Sequence, residues 1–257
     1  MTRTHLKHYR VYVNAYDLSG YARSVGTMAW SFGAEPDMAI SDSVKNVIPG
    51  AGDIQLGPIN MFFDADAAGA KALLASSTNT LTVSVAMGAR ADPAIGDRAF
   101  TWQFEKNSYS VEQGAGFVAA NLNLGGASYA STKSFCVPWG VVLAHNTARV
   151  AVNSTTGVDD YGAGPPSLGG VFWWHLLSSN GTVTLTAQEA DTNSDGSFAN
   201  ITGATSGSIT AAATPAYGMA ATTEIYAVKR YLRWQLAFGG GSTATFVCGF
   251  NRNTSTT

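Results

Sequence analysis

Hydrophobic and polar residues alternate in short bursts along most of this chain. The run "YRVYVNAYDLSGYARSVG", from Tyr9 to Gly26, alternates and is broken by turn residues at Asp17-Leu18-Ser19-Gly20, the pattern of extended segments joined by turns. Residues 31–58 are mixed, with turns at "GAEPD" and "PGAGD". Over 80–88, Leu81, Val83, Val85 and Met87 alternate with Thr and Ser, the period of a half-buried strand. The stretch 99–124 predicts two or three more strands, with Phe100, Trp102 and Phe104 on one side and Thr101, Gln103 and Glu105 on the other. Residues 169–179, "GGVFWWHLLSS", read as an apolar strand, and 181–190 as an alternating one. Asn180-Gly181 between them is a hairpin signal. Further strands are expected at "SFANIT", "SGSITAA", "TEIYAVKRYLRWQLAF" and "TATFVCGFNR".

One segment breaks the rule of two. In "FFDADAAGAKALLASS" the residues from Asp64 onward predict a helix over 64–76. Asp64 or Asp66 serves as its N-cap, and Ala67, Ala68, Ala70, Leu73 and Leu74 supply propensity and an apolar face. The fold class is therefore mainly β with one flanking α-helix. The spacing of strands and turns points to a sandwich or jelly roll. Residues 1–140 read as a first β domain, 141–170 as a Gly/Ser/Pro-rich connection, and 171–257 as a C-terminal β-sandwich.

Composition narrows the functions. Of 257 residues, 46% are hydrophobic and only 12% charged, about half the usual charged share. A surface so poor in charge is easiest to understand when much of it is covered by other copies. The formal net charge is −2 and the only basic cluster is "KRYLR" at 229–233, so tight nucleic-acid binding is not expected. No apolar run follows the opening "MTRTHLKHYR" and none reaches 18 residues, so neither a signal peptide nor a membrane span is expected.

Little in the sequence points to catalysis. His5, His8, His145 and His175 are the four histidines, and no G-x-S-x-G accompanies them. His175 follows "VFWW" inside a strand and reads as a hydrogen-bonded structural residue. The pairs Asp64/Asp66 and Asp159/Asp160 have the residue types for acid–base hydrolysis, but the first suits a helix cap and the second a loop. Cys136 and Cys248 sit in apolar contexts; two buried thiols or one long-range disulfide both fit. No enzyme activity and no cofactor are expected. "DTNSDG" at 191–196 places Asp191, Asn193 and Asp195 at the first three ligand positions of a calcium loop. Position 12 of that loop would be Thr202 instead of Glu, and a turn capped by its own side chains is the other reading. Aromatic pairs such as Trp173-Trp174 point to both faces of a strand and could form an exposed stacking platform for sugars or single-stranded nucleic acid; core packing or subunit contact is the expected role.

The stretches "YRVYVNAYDLSGYARSVG" and "VIPGAGDIQLGPINMFFDADAAGAKALL", then "GGVFWWHLLSSNGTVTLTAQEADTNSDGSFANITGA" and "AVKRYLRWQLAF…ATFVCGFNR", resemble in pattern and order the tail tube (major tail) proteins of long-tailed bacteriophages. The resemblance implies a β-sandwich or barrel flanked by a helix, and subunits that close into stacked rings, trimeric or hexameric. It implies a virion tail location, contacts with other phage tail or head proteins, and viral DNA passing through a channel without specific binding. The strands over 99–124 would form the channel wall. Trp102, Glu105, Glu112, Trp173 and Trp234 are then the candidates for subunit interface or lumen. The alternatives are a capsid decoration protein and a carbohydrate-binding adhesion module using Trp173 or Trp234.

Overall fold

A computed structural model of the chain describes residues 8–37, 46–63, 80–88, 92–113, 118–127, 137–160 and 168–253. The N-terminal strands are β1 (Tyr9–Val13), β2 (Tyr16–Asp17), β3 (Ala22–Val25), β4 (Met28–Asp37), β5 (Asn46–Leu56) and β6 (Ile59–Phe62). Next come β7 (Thr80–Met87), β8 (Arg98–Gln113), β9 (Val118–Ala127), β10 (Trp139–Arg149) and β11 (Val158–Asp159). The C-terminal strands are β12 (Gly170–Ser179), β13 (Thr182–Ala190), β14 (Ala199–Ile209), β15 (Ala216–Ala221), β16 (Tyr231–Gly239) and β17 (Ala244–Arg252). The protein is mainly β, and all its strand pairs among the described residues are antiparallel. Among the described residues there is no α-helix and no closed barrel; the helix predicted over 64–76 lies outside them.

The largest sheet has eleven strands. Its main path runs β15-β12-β17-β10-β8-β7-β1-β2, and a branch leaves β8 through β9 and β6 to β3. A four-stranded sheet, β11-β16-β13-β14, packs against it, and β4 and β5 form a separate two-stranded arm. The expected connection over 141–170 begins with a core strand. Val141, Leu143 and Ala144 of β10 are buried, and β10 joins β17 to β8. The turn at Asn180-Gly181 is present, but β12 and β13 do not pair as a hairpin. They belong to different sheets, so the turn carries the chain from one layer to the other. The long alternation predicted over 223–238 yields a strand only from Tyr231.

Two apolar cores result. The first gathers Val11, Val83, Val85, Phe100, Trp102, Phe104 and Leu122. The second fills the sandwich between the four-stranded sheet and β10, β12 and β17. β12 serves both: Val171 and Trp173 enter the first core, Phe172, Trp174 and Leu176 the second. This explains its apolar run, since a strand covered on both faces admits a polar residue only where partners hold it, as at His175. Trp173 fits only because β17 has a glycine beneath it. A Cβ at Gly249 would lie 2.3 Å from Trp173 Cζ2.

The turn from β1 to β2 is equally specific. Val13 pairs with Tyr16, and the two residues between them, Asn14 and Ala15, have φ of 48° and 66°. That is the two-residue turn whose twist suits a hairpin. Asparagine tolerates the left-handed region; alanine does so at a cost of about 1–2 kcal/mol.

Candidate functional site: a polar sheet face with an open edge

The branch strands β3, β6, β9 and β8 lie side by side, and their registers set residues in rows. Ser24 faces Asn60, Asn60 faces Asn121, and Asn121 faces Ser110. In the next row Phe62 faces Ala119, which faces Glu112, and the Arg23 guanidinium lies 5.1 Å from the Phe62 ring centre. Asn123 faces Ser108. Residues directly opposite share a face. The intervening rows, Ile59–Leu122–Tyr109 and Met61–Ala120–Val111, lie on the other face, where all but exposed Val111 join the first core. The branch therefore has an apolar inner face and an outer face of hydroxyls and amides.

These polar side chains satisfy one another. Asn60 Nδ2 donates to Ser24 Oγ (2.8 Å) and Asn123 Nδ2 to Ser108 Oγ (2.8 Å). Glu105 accepts from Thr80 Oγ1 at 3.1 Å. Glu105 lies opposite the buried side of Phe104, and Ser108 opposite that of Tyr109. Register shifts on both sides of Lys106 reset the alternation, so the outer face continues past the break. Glu105 and Glu112, both candidates from the sequence, sit on this outer face.

Among the described residues the edges of the branch are open. β7 pairs with β8 only as far as Glu105. Beyond it, among the described residues, β8 has a partner on one side alone, β9. At the other end, among the described residues, β3 pairs with β6 alone. Each open edge presents backbone donors and acceptors for another strand. Val111, exposed by 46%, lies on the β8 edge; Phe62, exposed by 47%, lies on the outer face, the opposite one, and Val118 is exposed by 40%.

The three tryptophan candidates are elsewhere. Trp102, Trp173 and Trp234 are all covered within the chain. Trp173 Nε1 donates to Asn251 Oδ1 at 3.0 Å. Trp234 packs edge-on to Phe246, with the Arg149 guanidinium 4.9 Å from its ring centre. A side chain buried by its own chain has no area to offer a neighbour, a sugar or a channel. Of the roles expected for Trp173 and Trp174 the structure shows core packing, because both faces of β12 are covered.

The calcium-like stretch is a clamp between loops. Asp195 bonds Arg233, which also donates to Ser154 O (2.9 Å) and Gln188 Oε1 (2.8 Å). The Arg233 guanidinium stacks 4.2 Å from the centre of the Phe198 ring. Asn193 Oδ1 accepts from Gly157 N (2.7 Å), and Asp191 pairs with Lys229 Nζ (3.1 Å). Two of the three expected ligands thus face cations, and the third holds a backbone amide.

The remaining candidates for chemistry are also engaged. His175 is fully buried; its Nδ1 accepts from Ala15 N (2.9 Å) and its Nε2 lies 2.7 Å from Ser84 Oγ. Because Nδ1 accepts, Nε2 carries the proton and donates to the serine. This tautomer cannot act as a base toward Ser84. Burial lowers the His175 pKa to about 3. Asp160 is buried beside Arg98 (2.9 Å) and Arg252 (3.6 Å); burial raises its pKa and the two guanidinium groups lower it, with a net rise. Asp159 bonds Arg230 at 3.0 Å. Cys248 is a buried free thiol whose pKa burial pushes up. Cys136, Asp64, Asp66 and His5 lie outside the described residues. A cavity of about 380 Å³ is lined by Arg10, Tyr12, Asp17, Asp92, His145 and Asn146, but Asp17 already accepts from Ser19 N and Asn146 Nδ2, and Arg10 pairs with Asp92.

No family model and no curated protein matches the chain. One solved structure similar to it is the SPP1 Dit (gp 19.1) protein, described as a paradigm of the hub adsorption apparatus in Gram-positive infecting phages. The likeness covers 96% of this chain and 99% of that one, at 11% identity and a TM-score of 0.37. A likeness of that strength fixes neither fold nor role.

Proposed function

We propose that this chain is a structural protein of a bacteriophage tail, the major tail tube subunit, and that it works by binding copies of itself into stacked rings. The observation that carries the reading is the edge of β8 over 106–113, open among the described residues, with exposed Val111 on it. Open edges with apolar neighbours invite strand pairing between chains. The sequence resemblance to tail tube proteins supports the same role and a virion location.

The outer face of the branch suits the wall of a DNA channel. Affinity for a duplex grows with each Lys or Arg that reaches a phosphate. This face is mainly Ser and Asn side chains, several of them bonded to each other, with Glu105 and Glu112 as its carboxylates and Arg23 beside Phe62 as a cation they outnumber. Such a wall lets DNA pass without holding it. No cofactor and no catalytic step enter the role: the Ser84–His175 pair has the wrong tautomer, and Asp159 and Asp160 are held by arginines.

Light scattering across a concentration series tests the reading. The expected mass is a multiple of 26.8 kDa that grows with concentration. A monomer mass throughout would transfer the role to an accessory virion protein that does not form rings.

A further inference from the structure

The cavity of about 380 Å³ lies where β1, β2, β10 and the loop before β8 meet. His145 and Asn146 both line it, although neighbours on a regular strand point to opposite faces. The register of β10 explains this. Ala144 pairs with Cys248 and Thr147 with Phe246, so β10 holds one more residue between these pairs than β17 does. That is a β-bulge at 145–146, and bulges re-aim side chains beside binding sites.

The walls of the cavity are polar and fixed. Asp17 accepts from Ser19 N (2.9 Å), from Ser19 Oγ and from Asn146 Nδ2 (2.9 Å), and Arg10 pairs with Asp92. Tyr12 is buried; burial first, then the Asp17 charge, push its pKa up, so it keeps its hydroxyl proton. A carboxylate has about four acceptor sites and a guanidinium about five donors, so these bonds hold the walls and leave bonding capacity over. His145 Nδ1 is buried and has no partner among the described residues. Burial and the Arg149 charge lower the His145 pKa. The ring is therefore neutral, with one donor and one acceptor.

The lining decides the class of ligand. Among the described residues its charges are Arg10, Asp17 and Asp92. An anion would meet two carboxylates, and a cation would meet the guanidinium. A hydroxyl group avoids both conflicts: it donates to a carboxylate and accepts from an arginine, an amide or an imidazole. Small-molecule sites begin at about 300 Å³, a size that suits one sugar ring.

We propose that this cavity binds a neutral sugar, one pyranose ring held through its hydroxyl groups by Asp17, Asp92, Asn146 and His145. No Trp, no Phe and no exposed Tyr lines it among the described residues. Hydrogen bonds without stacking give an expected Kd on the order of 1 mM. The site lies within one chain and does not depend on the ring-forming role, so the failure of either leaves the other standing.

Saturation-transfer difference NMR on the full chain tests the site. Glucose, galactose, mannose and N-acetylglucosamine are the probes; glucosamine and N-acetylneuraminic acid are the cationic and anionic controls. Two variants, on two elements, probe the same cavity. At Gly20, which lines it, an added Cβ would meet nothing within 4 Å, and the φ lies outside the left-handed region. Gly20→Leu therefore fills the space without straining the backbone. His145→Phe keeps a ring and removes its hydrogen bonds. Thermal melts check both folds, and where one variant melts abnormally the other decides. Wild-type protein is expected to bind at least one neutral sugar saturably. Gly20→Leu is expected to abolish that binding and His145→Phe to weaken it about fivefold or more. No saturable binding of any neutral sugar at tens of millimolar overturns the proposal. Binding that survives either folded variant unchanged overturns it too, as does a charged control that binds more tightly than the neutral sugars.

Discussion

Ala15 and His175 show how one residue can depend on another far along the chain. Ala15 adopts a left-handed conformation and donates its N–H to His175 Nδ1. Ala15→Gly keeps that donor and removes the Cβ conflict, at the cost of a looser unfolded chain. The expected gain is about 0.5–1 kcal/mol in urea unfolding. His175 gives stability a pH dependence of known sign. Its pKa is about 3 in the folded protein against an ordinary histidine value of 6.5, so the unfolded chain binds the proton first. The contribution is complete above pH 6.5 and is lost as pH falls from there toward 3, about 5 kcal/mol at most. His175→Gln, which does not titrate, is expected to flatten the fall in stability between about pH 6.5 and 4.5. Equal slopes for the two proteins would contradict this. At Gly249 a methyl group would meet the Trp173 ring and the Val141 carbonyl oxygen; Gly249→Ala is expected to cost about 1–3 kcal/mol by overpacking.

Elements are legible where alternation is simple. The strand around Leu81–Met87 and the two sides of Phe100–Glu105 follow from the period of two. The expected half-burial does not hold: Thr82, Ser84 and Thr101 on the second side are buried as well, because β12 and its neighbours cover it. The period does put Glu105 on the correct face. Glu112 falls on the same face for a reason absent from any period: the register shifts around Lys106 reset the alternation. β10 is hidden because its flanks are rich in Gly, Ser and Thr, although "WGVVLA" is as apolar as other core strands. The tryptophans mislead because an apolar strand looks the same whether its second face meets solvent, a partner or another layer of its own chain. Only the layering of β12 between two cores decides that. The clamp at Asp195 is half legible: Asp, Asn and Gly mark a turn, but its counter-ion Arg233 comes from β16. Asp195→Ala is expected to loosen the loop by about 1 kcal/mol in a thermal melt, with no change in calorimetric heat on adding calcium. At the β8 edge, Val111→Lys is expected to leave the melt unchanged and to lower assembly, because a lysine on an open edge opposes strand pairing. A variant that assembles as well as wild type would show that this edge is not used.

For the whole molecule, the low charge and the open branch belong together. With 12% charged residues, the chain has little to keep its copies apart, and the two edges of the branch that are unfilled among the described residues are where we propose they join. The four-stranded sheet and its partner strands form a second, filled sandwich, whose β14 edge is broken by register shifts against β13. Negative-stain electron microscopy of the purified protein tests assembly most directly. Rings or hollow tubes with a central channel are the expected result. Compact single particles with no channel, at every concentration, would contradict it.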